Sequence, residues 1–178
     1  MDKTPHYTSS RMTVLVVFGI LLISMISPSH LFAQSLGDEH VIELFSVAQK
    51  FFRDLQERNY TGLWNAISKG SQKTIVRAIH KEKQNTGRDA TIDSIKKDFE
   101  QCRAMCRSFW HAYFAAFDPE LALKQSRWDV GFVKKRKAEI LITHRDADRP
   151  AKLKMFREKG EWKVGLMETF WNYMTRKL

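Results

Sequence analysis

Glu168 and His144 are the two residues whose types and setting could do acid–base chemistry. Trp162, Val164, Leu166, Glu168 and Phe170 share one face of a period-two pattern, and His144 follows Ala138, Ile140 and Ile142 on another. Burial raises the pKa of a carboxyl and lowers that of an imidazole, so such a pair converging on one cavity would suit proton transfer or anchor a polar group. The plainer alternative puts both near strand ends, where each reaches solvent or pairs with Arg157 or Arg145.

Other residues carry weaker chemistry. Cys102 and Cys106 stand four apart on one helical pattern, which places their Cα atoms about 6 Å apart, at the upper part of the disulfide range. The choice is between a bridge and two small core residues, and the short enclosed loop favours the core pair. Trp110, Tyr113, Phe114 and Trp128 could line a pocket for an apolar ligand, or simply fill the core, as such residues more often do. Lys134, Lys135, Arg136 and Lys137 form the one basic block, a contact for anionic lipid or an acidic partner, or else a solvated turn. The remaining histidines show no metal-ligand spacing, and there is no glycine-rich phosphate loop or nucleophile elbow, so no cofactor is called for. Asn59-Tyr60-Thr61 matches a glycosylation triplet that is common by chance.

These residues depend on helices first and strands second. Val41, Ile42, Phe45, Ala48, Phe51, Phe52 and Leu55 recur at three and four, which predicts an amphipathic helix over 39–58 with Asp38 as its N-cap. Leu63 to Ile67 and Ser71 to Lys83 predict two short helices, with breaks at Gly70 and around Gly87. Ile92, Ile95, Phe99, Cys102, Cys106, Phe109 and Tyr113 predict one long helix capped by Thr91 and stopped at Asp118-Pro119. From Trp128 the period becomes two. Strands are expected at Trp128–Val133, Lys137–Arg145, Ala151–Glu158 and Trp162–Phe170, with short connections that force antiparallel pairing. The fold class is α+β, N-terminal helices packed on a curved antiparallel four-stranded meander.

Residues 12–26 are uncharged and mostly apolar, behind Lys3 and Arg11 and ahead of Pro28 and Ala33. This order predicts an export signal over 1–33, cleaved after Ala33, with a single domain over 34–178. The rival is an uncleaved inner-membrane anchor; either way the basic N-terminus keeps the domain outside the cytoplasm. Losing Asp2, Lys3 and Arg11 lowers the formal net charge of +10 by one. In an exported protein the candidate partners for that charge are anionic lipid, envelope polysaccharide or acidic proteins rather than nucleic acid. Basic residues spread along the whole chain favour the plainer reading, solubility and general envelope affinity.

Helices leading into a meander whose last strand reads Glu-Lys-Gly-Glu-Trp-Lys-Val-Gly-Leu (Glu158 to Leu166) resemble the nuclear-transport-factor-two-like (SnoaL-like) cone-fold superfamily. Phe51-Phe52-Arg53-Asp54-Leu55 through Asn59-Tyr60-Thr61-Gly62-Leu63-Trp64 resemble the passage from first to second helix in its exported bacterial members. The resemblance implies a cavity between helices and sheet, and pairing of two copies through the outer sheet face, where Met167 and Trp171 would point. It leaves activity open, since the superfamily holds enzymes and binding modules alike. The resulting expectation is an exported, periplasmic, non-catalytic binding or accessory module with a pocket for a small apolar or amphiphilic ligand, working beside an envelope protein or anionic membrane. The alternatives are a periplasmic lipid carrier, and a small enzyme using Glu168 and His144.

Overall fold

The computed structural model describes the backbone of residues 29–174 and the side chains of residues 39–170. The expected export segment lies outside the residues so described, apart from the backbone of its last few positions. The chain divides into two units, Met1–Glu39 and His40–Leu178, and the second holds the elements that follow apart from the start of the first helix. Among the described residues no helix is long and apolar enough to cross a membrane.

Helix α1 spans Ser29–Gln56, so Asp38 lies within it and is not its cap. Ala48, Phe51, Phe52 and Leu55 of the expected stripe are buried, Val41 and Phe45 are half-buried and Ile42 is exposed, while Leu44, outside the expected set, is buried. Its end is built by backbone geometry. Arg58 adopts a left-handed conformation (φ 58°), and the N–H groups of Arg58 and Asn59 reach back to the carbonyls of Leu55 and Asp54, the paired bonds of a Schellman stop. Asn59 then caps α2 (Tyr60–Ala66), its side-chain oxygen accepting from the Gly62 N–H at 3.1 Å. Ser68 caps α3 (Lys69–Asn85), which ends in the same stop with Gly87 left-handed.

The long helix expected over 92–117 is two helices, α4 (Ile92–Glu100) and α5 (Ala104–Ala116). The break is a third Schellman stop. Cys102 is left-handed (φ 39°), its N–H bonds the Phe99 carbonyl, and the Arg103 N–H bonds the Asp98 carbonyl at 2.8 Å. Arg103 gives α5 no side-chain cap. The buried Asp98 supplies one from the preceding helix, its carboxylate accepting the Cys106 N–H at 2.8 Å. Cys102 and Cys106 form a disulfide with Cα atoms 5.0 Å apart, which overturns the preference for two core thiols. A left-handed non-glycine residue costs about 1–2 kcal/mol, and the bridge holds Cys102 in that state. Thiol titration of the unfolded, unreduced protein is therefore expected to find no free cysteine. Reduction should cost about 2 kcal/mol, read as a lower thermal midpoint.

Asp118-Pro119 ends α5 but also starts α6 (Pro119–Lys124), with the Asp118 carboxylate accepting the Glu120 N–H and proline in the first turn. Four strands follow, β1 (Ser126–Val133), β2 (Lys137–His144), β3 (Ala151–Glu158) and β4 (Glu161–Val164), in an open antiparallel sheet of order β1-β2-β3-β4. The α+β class is as the sequence implies. Ala138, Ile140, Ile142, Leu153, Met155, Trp162 and Val164 form its buried face, and Phe45 and Phe52 of α1 meet Trp128 of β1 edge to face on that side. Gly131 is a bulge: Val130 pairs with Ile140 but Phe132 pairs with Glu139, so Phe132 leaves the parity it shares with Trp128 in the sequence. Lys159 and Gly160, both left-handed, make the two-residue turn between β3 and β4.

β4 stops at Val164, and the strand expected over 162–170 becomes helix α7 (Leu166–Met174). The Gly165 N–H closes the ladder on the Lys154 carbonyl at 2.8 Å, while its own carbonyl accepts the Thr169 N–H and opens the helix. A Cβ at Gly165 would lie 2.5 Å from the Phe156 ring and 2.9 Å from the Lys154 carbonyl, so the turn requires glycine.

Candidate functional site

Because residue 168 is helical, Glu168 does not face a sheet cavity with His144. Its carboxylate sits beside the N-termini of two helices, the third residue of α7 and next to the start of α3. There it accepts from the hydroxyls of Ser68, at 3.0 Å, and Ser71. Both hydroxyls are fully committed, Ser68 accepting the Ser71 N–H and Ser71 the Met167 N–H, each at 3.0 Å. With both serines buried, the cluster ties α3 to α7 and offers no accessible nucleophile. His144 ends β2, opposite Ser126. Its Nδ1 accepts the Asp146 N–H at 3.2 Å, so the neutral ring carries its proton on Nε2, which is buried without a partner among the described residues. Glu168 and His144 share no hydrogen bond, each being engaged by neighbours of its own.

Trp110 and Tyr113 lie in the core, and Phe114 and Trp128 are half-buried against it. Trp110 is wholly enclosed, with Phe51, Phe109 and Tyr113 ring centroids 5.1–6.4 Å away. Trp128 donates its indole N–H to the Ala122 carbonyl at 2.7 Å, and Phe114 lies under the Arg58 guanidinium at 5.4 Å. The Tyr113 hydroxyl is buried without a partner among the described residues, and burial holds the phenol protonated well above its usual range. A folded pKa above the unfolded value of about 10 gives stability that is complete below that pH and lost as pH rises beyond it. Tyr113→Phe is expected to change stability by less than about 1 kcal/mol at neutral pH, because no hydrogen bond is lost. Urea melts repeated at rising alkaline pH should show the wild type losing stability faster than this variant.

Lys134, Lys135 and Arg136 form the exposed β1–β2 turn and Lys137 opens β2, where the sequence places them. The Lys134 ammonium lies 5.7 Å from the Phe132 ring. Met167, expected to point outward from a strand, is buried in α7, and the Trp171 side chain lies outside those described. The Asn59 side chain is occupied twice, capping α2 and donating to Asp54 at 3.1 Å. Among the described residues no group of His, Cys, Asp and Glu could hold a metal.

A concave site lies where the sequence reading placed none, in a groove between α3 and α4 of about 460 Å³. This falls within the roughly 300–1,000 Å³ of small-molecule sites. Helix α3 contributes Lys69, Gln72, Lys73, Val76 and Arg77, a face set by spacings of three and four. Helix α4 contributes Ile92, Lys96 and Glu100, one per turn, and Trp64 of α2 forms the floor. The Trp64 ring packs on Phe99 at 4.5 Å, and Gln72 donates to the Trp64 carbonyl at 2.7 Å, which fixes the floor against α3. Lys73 and Arg77 fall within the helix expected over Ser71 to Lys83, whereas Lys69 joins their row only because the helix starts before Gly70. That α4 lies beside this row is a tertiary fact no local pattern carries.

No protein-family model matches the chain, and no curated protein or solved structure matches it either.

Proposed function

We propose that this protein is an exported, non-catalytic binding or accessory module of the bacterial envelope, and that its ligand site is the α3/α4 groove. The observation that carries the reading is a small-molecule-sized hollow with an aromatic floor, a buried Val76, a half-exposed Ile92 and charged side chains around its rim. Export rests on the uncharged run 12–26 and its basic and small-residue flanks. Helices followed by an antiparallel meander support the cone-fold resemblance, although the groove lies between helices and not between helices and sheet. Glu168 is engaged by the Ser68 and Ser71 hydroxyls and His144 by the Asp146 N–H, which supports binding over acid–base catalysis.

Native mass spectrometry of the protein from its own host tests both halves. The expected chain begins at Gln34 and carries a bound small molecule. Ile92→Glu, a change on a partly exposed wall, should abolish that bound mass with little change in thermal midpoint. A chain that keeps its first residues overturns cleavage. A ligand retained by the Ile92 variant overturns the groove as its site.

A further inference from the structure

The rim of the groove is one-sided in charge. Lys69, Lys73 and Arg77 repeat at four-residue intervals along α3, and like charges at that spacing cost a helix about 0.2–0.5 kcal/mol per pair. At the same spacing Lys50 and Lys124 face carboxylates, those of Asp54 and Glu120, whereas the α3 row meets another cation at each step, as Arg103 and Arg107 also do. Among the described residues none of the three α3 side chains has an acidic partner. Lys96 adds a fourth positive charge from the opposite wall, 3.4 Å from Asp93, and Glu100 is the single carboxylate among the lining residues. Beneath this rim the surface is apolar: Trp64, Val76 and Ile92. A ligand that relieves the repulsion must bring negative charge, and one that covers the floor must bring hydrocarbon or a ring.

We propose that the α3/α4 groove binds a small anionic amphiphile, with its phosphate or carboxylate held by Lys69, Lys73 and Arg77 and its apolar body against Trp64, Val76 and Ile92. This rests on the groove being the ligand site and adds the chemical class. Phosphate and carboxylate share the recognition chemistry, charge-assisted hydrogen bonds from cationic side chains, and the Arg77 fork can hold two oxygens of either. The hollow suits a single short chain or ring and not a folded partner.

Calorimetric titration of the mature chain with octyl phosphate, octanoate and octyl glucoside tests this. Octyl phosphate and octanoate should bind, the tighter of the two identifying the head group, and octyl glucoside should bind about tenfold more weakly. Lys73→Gln combined with Arg77→Gln should weaken octyl phosphate about tenfold while leaving octyl glucoside unchanged, with a thermal midpoint no lower than the wild type because two like-charge pairs are relieved. Added salt should weaken the anions only. Equal affinity for octyl glucoside, or wild-type affinity in the double variant, overturns the anionic class while leaving the groove as a site. No binding of any of the three overturns both. Binding seen only with anionic vesicles, and lost when Lys134, Lys135, Arg136 and Lys137 become glutamine, moves the charge recognition to the β1–β2 turn and overturns the proposal.

Discussion

Glu168→Ala is expected to destabilise the fold by about 3 kcal/mol, because it strips the shared acceptor from two buried hydroxyls at once. Each orphaned hydroxyl would cost about 1–3 kcal/mol, less what the Ser68 and Ser71 oxygens, 3.1 Å apart, recover by bonding each other. The loss also includes a negative charge placed where the N-terminal dipoles of α3 and α7 converge. Glu168→Gln keeps an acceptor oxygen and should cost less. Urea unfolding gives these values. Gly70 supplies an internal check. A Cβ there would stand 2.5 Å from a Glu168 carboxylate oxygen, so Gly70→Ala should destabilise the wild type and cost clearly less once residue 168 is alanine. Equal costs in both backgrounds, or a Glu168→Ala loss near zero, would remove the clamp between the two helices. An acid–base role would instead make Glu168→Gln as damaging to activity as alanine, with stability intact.

The helix stops show how much of this architecture local sequence can carry. Three helices end in the same paired hydrogen bonds around a left-handed residue, Arg58, Gly87 and Cys102. Glycine occupies one of them, and that break is readable, because glycine alone adopts the conformation without cost. At Cys102 nothing local marks the stop: the three-and-four apolar spacing runs through it unbroken, and what breaks the helix is the buried Asp98 carboxylate reaching the Cys106 N–H together with the disulfide. Gly165 is the converse case. Trp162, Val164, Leu166, Glu168 and Phe170 alternate as a strand would, yet Leu166, Met167 and Phe170 also satisfy a helical spacing. The contact of Gly165 with the Lys154 carbonyl and the Phe156 ring decides between them. The meander itself, with strand β3 at Ala151–Glu158 as expected, was legible because side-chain alternation and short turns permit one topology. The groove was not, since it depends on α4 lying against α3, and reading α4 and α5 as a single rod obscured that arrangement.

Trp110→Ala separates the two roles open to the aromatic set. The ring is entirely enclosed by Phe51, Phe109 and Tyr113, so truncation removes its packing and leaves a cavity, at an expected cost of about 4 kcal/mol. That is a large share of the roughly 5–15 kcal/mol that holds a domain of this size. Where the alanine protein is too unstable to purify, Trp110→Phe carries the test. It keeps most of the ring volume and removes an indole N–H that has no partner among the described residues, so its cost should stay under about 2 kcal/mol. Both variants, while folded, should bind octyl phosphate as the wild type does, because Trp110 belongs to the core and Trp64 to the groove. A Trp110 variant that loses the amphiphile while keeping its melting temperature would move the ligand into the aromatic core. The charges along α3 would then be no more than a solvated helix face.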